Sequence, residues 1–286
     1  MDQINFSKAM KSFIGYLEGT QKSAHTIKNY RLDLLSFEAF LSGERAVSSR
    51  DLTQVSRDDL EHYHEYLKSQ GLKTNTRRRK LLTVQRFINF LANRNKLSDD
   101  LPSKLPTPHK VEKVPVTVDQ DRLMGAIQTL EFQTELEERN RALLWVLAET
   151  GCLVSEVTQL KFENISTTKI EITGKAPREL VISRELSQAL RSLRDRGRES
   201  PWIFLGFNKH GSLGGAISPR GVELLVRFYA EKLGFPDLTP RTFRHSRVLS
   251  WFKEGVAQDE IQKRLGLKTA YAFRTFAPLL SPAGQN

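Results

Sequence analysis

One cysteine, Cys152, occurs in 286 residues, so no internal disulfide can form, and a reducing compartment is the expected setting. Long apolar runs are missing as well. No stretch approaches the roughly 20 residues needed to cross a bilayer, and Met1-Asp2-Gln3-Ile4-Asn5 lacks the basic and apolar regions of a secretory leader. A cytoplasmic protein is therefore expected. Acid is also under-represented, with 33 Asp and Glu against 44 Lys and Arg, a net charge of +11. Such a surface attracts polyanions, and nucleic acid is the commonest large one. The excess is not local: residues 1–105 carry 18 basic and 12 acidic side chains, and the remainder 26 and 21. At 39% hydrophobic and 27% charged residues, the chain has the composition of a folded globular protein.

Helical periodicity dominates the first third. Phe6, Met10, Phe13 and Leu17 fall on one helical face, and Ile27, Tyr30, Leu34, Phe37 and Leu41 form a second stripe with Thr26 as its cap. Ser56 and Asp59 have capping-box spacing before Leu60, Tyr63 and Leu67. A fourth helix starts near Asn75 and buries Leu81, Val84, Ile88 and Leu91. Between Leu97 and Thr117, prolines 102, 106, 108 and 115 break the pattern, which predicts a linker over 98–117 between units at 1–97 and 118–286. A long surface loop within one domain is the alternative. Beyond it, 139–149 reads as a helix. Lys169–Thr173 and Glu179–Ser183 alternate around Gly174-Lys175-Ala176-Pro177 and predict a β-hairpin. From Ser187 onward the pattern is again mainly helical. The fold class is mainly α with a small β-hairpin or sheet.

Three short segments carry the functional signal: Thr150-Gly151-Cys152-Leu153-Val154-Ser155-Glu156, then Leu238-Thr239-Pro240-Arg241-Thr242-Phe243-Arg244-His245-Ser246, then Leu265-Gly266-Leu267 with Phe276 nine residues on. In order and spacing these resemble the signature boxes of the tyrosine recombinases, the Xer and phage-integrase family, which read T-G-x-R-x-S-E, H-x-x-R-H and L-G-H followed by the tyrosine nucleophile. Lys22 to Tyr30 is similar to the family's opening of its second helix. The resemblance covers nearly the whole chain. It implies a two-domain DNA clamp: a helical, SAM-like core-binding domain joined to a catalytic-type domain that breaks DNA through a phosphotyrosine.

Carried over residue by residue, the resemblance leaves most reacting groups replaced. Leu153 stands where the first arginine belongs, Arg241 and Leu267 where the family has histidines, and Phe276 where it has the nucleophile. A phenyl ring has no nucleophilic atom, and leucine offers no donor to a phosphate. Arginine can donate to phosphate but cannot shuttle protons near neutral pH. Two positions are retained: Arg244, and Lys175 on the hairpin, where the family's lysine protonates the leaving oxygen. Arg244 could instead form a salt bridge with Glu156, and Lys175 could be a solvated turn residue. Cys152, beside Leu153 in an apolar helix, is expected to be a small buried hydrophobe.

The implied DNA contacts are Lys28, Arg31, Arg77, Arg78, Arg79, Lys80, Lys175, Arg241 and Arg244. The run 77–80 could otherwise be a solvated helix start, although cations there oppose the macrodipole. The expectation is a DNA-binding protein that has lost strand cleavage and acts as an accessory, architectural or regulatory factor on duplex DNA. It would work by self-association there or beside an active recombinase paralogue. Two alternatives stay open: a divergent recombinase cutting through Tyr271 or a partner subunit, and a protein-interaction scaffold. No metal or cofactor is implied. The segment from Ala277 to Asn286 is expected to be too short for the family's docking of a C-terminal helix into a neighbouring subunit.

Overall fold

The computed structural model describes residues 4–20, 22–44, 51–94, 97, 101, 105–194, 200–208 and 211–280. Two compact units divide at Glu112 and Lys113.

The first unit is a bundle of four helices, α1 (Phe6–Gly19), α2 (Ala24–Gly43), α3 (Arg57–Ser69) and α4 (Thr74–Ala92). Each apolar stripe read from the sequence is turned inward. Phe6, Phe13, Phe37 and Phe87 are buried together, with Phe87 lying 5.5 Å from Phe6 and 5.4 Å from Phe13 between ring centroids. Offset or tilted aromatic contacts at this spacing add to the burial energy. Ser56 and Asp59 form the expected capping box at α3. The α2 cap is Ser23, not Thr26. The Ser23 hydroxyl accepts from the Thr26 backbone N–H, which places Thr26 inside the first turn.

Part of the expected linker is tied to this bundle, and residues 98–100 and 102–104 lie outside the described residues. Leu105 is buried in the bundle core. Arg78 donates to Thr107 Oγ1 and to the Pro108 carbonyl, and Asn75 exchanges two hydrogen bonds with the Val111 backbone. A proline-rich extended chain offers no helical or ladder partners, so side chains satisfy its backbone groups.

The second unit is built on α6 (Glu135–Thr150), whose Leu143, Leu144, Val146 and Leu147 are fully buried. Around it lie α5 (Gln120–Gln128), α7 (Val154–Val157), α8 (Arg184–Ser192), α9 (Pro219–Ala230), α10 (Pro240–Lys253), α11 (Gln258–Arg264) and α12 (Ala277–Leu280). The expected hairpin is present as β1 (Lys169–Ile172) and β2 (Arg178–Val181), antiparallel with Ile170 opposite Leu180. A second antiparallel pair, β3 (Leu205–Asn208) and β4 (Gly211–Ala216), corrects the helical reading of this stretch. Gly206, Gly211, Gly214 and Gly215 leave its strands without apolar alternation, so the pattern carries no strand signal. The end of the tail, 281–286, lies outside the described residues.

Candidate functional site

The site forms where α6 ends, α10 begins and the chain leaves α11. Gly151 closes α6 with φ +62°, a left-handed conformation that favours glycine. The chain then runs extended through Leu153 into α7. Cys152 is therefore in the link and not in a helix, but it is buried, and burial pushes its thiol up to about 12. A protonated, buried thiol at neutral pH is no nucleophile.

Thr239 and Thr242 cap α10 reciprocally with Pro240 in its first turn. Arg241, Arg244 and His245 follow at helical spacing and share one face. Gly266, also at φ +62°, turns the chain out of α11 toward Leu267. A Cβ on Gly266 would come within 2.8 Å of the Ala176 Cβ and 2.9 Å of an Arg178 nitrogen, so glycine is required there on two counts.

These turns enclose a cleft of about 900 Å³ within the second unit. Five of the residues singled out in the sequence line it together: Leu153, Arg241, Arg244, Leu267 and Phe276. Leu153 is 45% exposed, and its N–H donates to Glu156 Oε2 at 2.8 Å. Phe276 is buried, its ring meeting the His245 ring edge-on with centroids 5.7 Å apart. Arg241 is exposed, and its Nε donates to His245 Nε2 at 3.3 Å. To accept, that nitrogen must be unprotonated. Burial, then the Arg241 and Arg244 charges, hold the imidazole below its usual range, while a hydrogen bond to the Val116 backbone acts the other way.

Arg244 does not pair with Glu156. It donates to the Gly151 carbonyl at 2.8 Å and to the Leu265 carbonyl at 3.0 Å, joining the first and third boxes through their backbones. Burial lowers its pKa, and Glu156 nearby opposes that shift. The partner of Glu156 is Arg178, in a two-pronged contact of 2.7 and 2.9 Å between side chains only 8% and 13% exposed. Arg178 also donates to the carbonyls of Ala176 and Arg264. The sequence reading missed this residue. Its signal was the two-residue period of β2, which sets Arg178 on the same face as the buried Leu180.

Lys175 is outside the cleft lining, exposed at the β1–β2 turn, with no hydrogen bond or ion pair to a described residue. Tyr271 is 50% exposed in the 3-10 turn Ala270–Phe276, also outside the lining, with the Arg274 guanidinium 4.4 Å from its ring.

In the first unit the basic residues divide sharply. Lys28 and Arg31 are exposed on α2. Arg79 and Lys80 instead face Asp33, which is 1% exposed: Arg79 donates to Asp33 Oδ2, Thr83 Oγ1 adds a bond of 3.1 Å, and Lys80 Nζ lies 3.8 Å away. Arg78 is held by Thr107 and Pro108, and Arg77 donates to Thr74 Oγ1 at 3.3 Å. A charge-only reading cannot tell a solvated cation from one neutralising a buried carboxylate. Among the described residues no cluster of His, Cys, Asp and Glu could hold a metal ion, and no helix is long and apolar enough to cross a membrane.

Two family models match the chain: the N-terminal SAM-like domain of phage integrases over residues 10–95, and the phage integrase family over residues 117–272. The chain belongs to the phage integrase family. Among its relatives in the family is tyrosine recombinase XerC of Herpetosiphon aurantiacus, 32% identical over 272 residues, covering 90% of this chain and 86% of that protein. Tyrosine recombinase XerD of Listeria innocua is 24% identical, covering 85% and 84%. The tyrosine-recombinase fold is shared with solved integrase-family structures. The XerH recombinase bound to a palindromic difH substrate superposes with a TM-score of 0.72 at 18% identity, covering 89% of this chain and 76% of that one. A lambda integrase dimer bound to a COC′ core site gives 0.68 at 12% identity, covering 96% and 78%.

Proposed function

We propose that this integrase-family chain binds duplex DNA without cleaving it and serves as an accessory, architectural or regulatory factor in the cytoplasm, on the nucleoid. The observation that supports this reading is the content of the cleft: a phenyl ring at Phe276 and leucines at 153 and 267 line it where the family's boxes call for a nucleophile and phosphate donors. Arg241 and Arg244 remain in the cleft lining for a phosphate, Lys175 is exposed on the hairpin turn outside it, and Lys28 and Arg31 stand exposed for backbone contacts in the first unit. Relatives named as recombinases, and fold neighbours solved on DNA, support duplex DNA as the partner. The chain would act there by self-association or beside an active paralogue, and only the paralogue could supply strand cleavage, since every copy of this chain carries Phe276. Tyr271, outside the cleft lining, is poorly placed to replace the missing hydroxyl.

The test is covalent trapping. Duplexes selected for binding are nicked so that cleavage cannot reverse, and no adduct surviving denaturation is expected. An adduct on Tyr271 would overturn the reading. Phe276→Tyr alone is also expected to trap nothing, because loss of one preorganised donor commonly costs about a hundred- to a thousandfold in rate. Proton-transfer assistance is also missing.

A further inference from the structure

We infer that the cleft between α7, α9, α10 and the Leu265–Phe276 segment is a binding site for a small amphipathic carboxylate. Its lining is of two kinds. Leu153, nearly half exposed, and the half-buried Val154 and Leu267 present apolar surface, and the buried Leu265, Phe273 and Phe276 complete that part of the lining. A DNA phosphate brings nothing apolar to cover such a surface, whereas a carbon chain or ring would.

The polar side is positive. Arg241 and Arg244 project from the first turns of α10, a capped helix of 14 residues whose N-terminal dipole adds to their field. Arg244 spends one bond from each terminal nitrogen on backbone carbonyls, and a guanidinium has five N–H groups, so donors remain. Arg227 of α9 also lines the cleft. Glu156 is held by Arg178, and the one acid in the lining, Glu223 of α9, is half exposed with Arg220 at 3.0 Å, which leaves three arginines against one carboxylate around the cleft. A carboxylate matches the planar fork of either arginine. At about 900 Å³ the cleft falls within the range of small-molecule sites.

The regulatory consequence rests on the DNA-binding reading: a carboxylate on Arg241 and Arg244 would compete with a phosphate for the same donors.

Calorimetric titration with decanoate tests the site directly, with decanol and acetate as single-feature controls. Saturable one-to-one binding of decanoate is expected, with both controls about tenfold weaker or more. Arg241→Gln and Leu153→Asn, both at exposed positions, should each weaken decanoate about tenfold while melting like the parent protein. Absence of saturable heat overturns the proposal. So does decanol binding as well as decanoate, or affinity unchanged in both variants. A second arm measures affinity for a selected duplex with and without saturating decanoate, and a several-fold loss is expected. Duplex binding indifferent to bound decanoate overturns the competition. Duplex binding absent altogether removes the DNA reading and leaves the carboxylate site standing.

Discussion

Arg178 and Arg244 are two half-buried arginines at and beside the cleft with different partners, and the difference sets what each is worth. Arg178 neutralises Glu156 through two hydrogen bonds out of water. Removing one member of such a pair leaves the other charge buried and alone, at a cost of about 3–5 kcal/mol. Arg178→Met should therefore lower stability by that amount in urea unfolding, and adding Glu156→Leu should recover most of the loss. A single-variant cost below about 1 kcal/mol would show that the pair is solvated. His245 gives a pH dependence of known sign. Its folded pKa is depressed, so the stability it contributes is present above the unfolded value of about 6.5 and is lost as pH falls through the lower, folded one. Urea midpoints should drop from pH 7.5 to pH 5.5 more steeply in the parent protein than in His245→Gln. Equal slopes would remove His245 as the source.

At the scale of elements, the basic start of α4 shows what the sequence could and could not convey. The four helices of the bundle were readable because each carries a stripe at helical spacing, and the α3 capping box was readable because both partners lie within four residues. The β1–β2 hairpin was readable from its alternation. Contacts across long separations left no such trace: Asp33 and Arg79 stand 46 positions apart, and Glu156 and Arg178 22. Hence nothing local showed that three of the four cations in the 77–80 run, Arg78, Arg79 and Lys80, also hold partners within the first unit. Arg79→Ala should cost about 2 kcal/mol, less than a fully buried pair because Arg79 is 46% exposed and Lys80 and Thr83 still face Asp33. Thermal melts of that variant and of Asp33→Asn/Arg79→Ala would check this, the double change being milder. Alanine substitution of the whole run would mix loss of stability with any loss of DNA contacts.

For the whole molecule, the net charge of +11 does not say which cations are open to a polyanion. Lys28 and Arg31, exposed on α2, are better probes than the α4 run. If both touch phosphates, Lys28→Ala/Arg31→Ala should reduce the slope of log affinity against log salt by about 0.9 per contact, without changing stability. A slope equal to the parent's would place the contacts elsewhere. The catalytic boxes were legible as spacing and residue type, since the turns at Gly151 and Gly266 and the cap at Thr239 are local. What the sequence left out was which charged groups those turns bring together.

The grip of Arg244 on the Gly151 and Leu265 carbonyls bears on descent. Main-chain oxygens are present whatever side chains a lineage accumulates, so drift at neighbouring positions cannot remove the partners of this arginine. In a comparison of related genes it should persist after the nucleophile and its helpers have gone. Its survival alone would then mark a scaffold still under selection to fold, and would say nothing of whether the gene product still cuts.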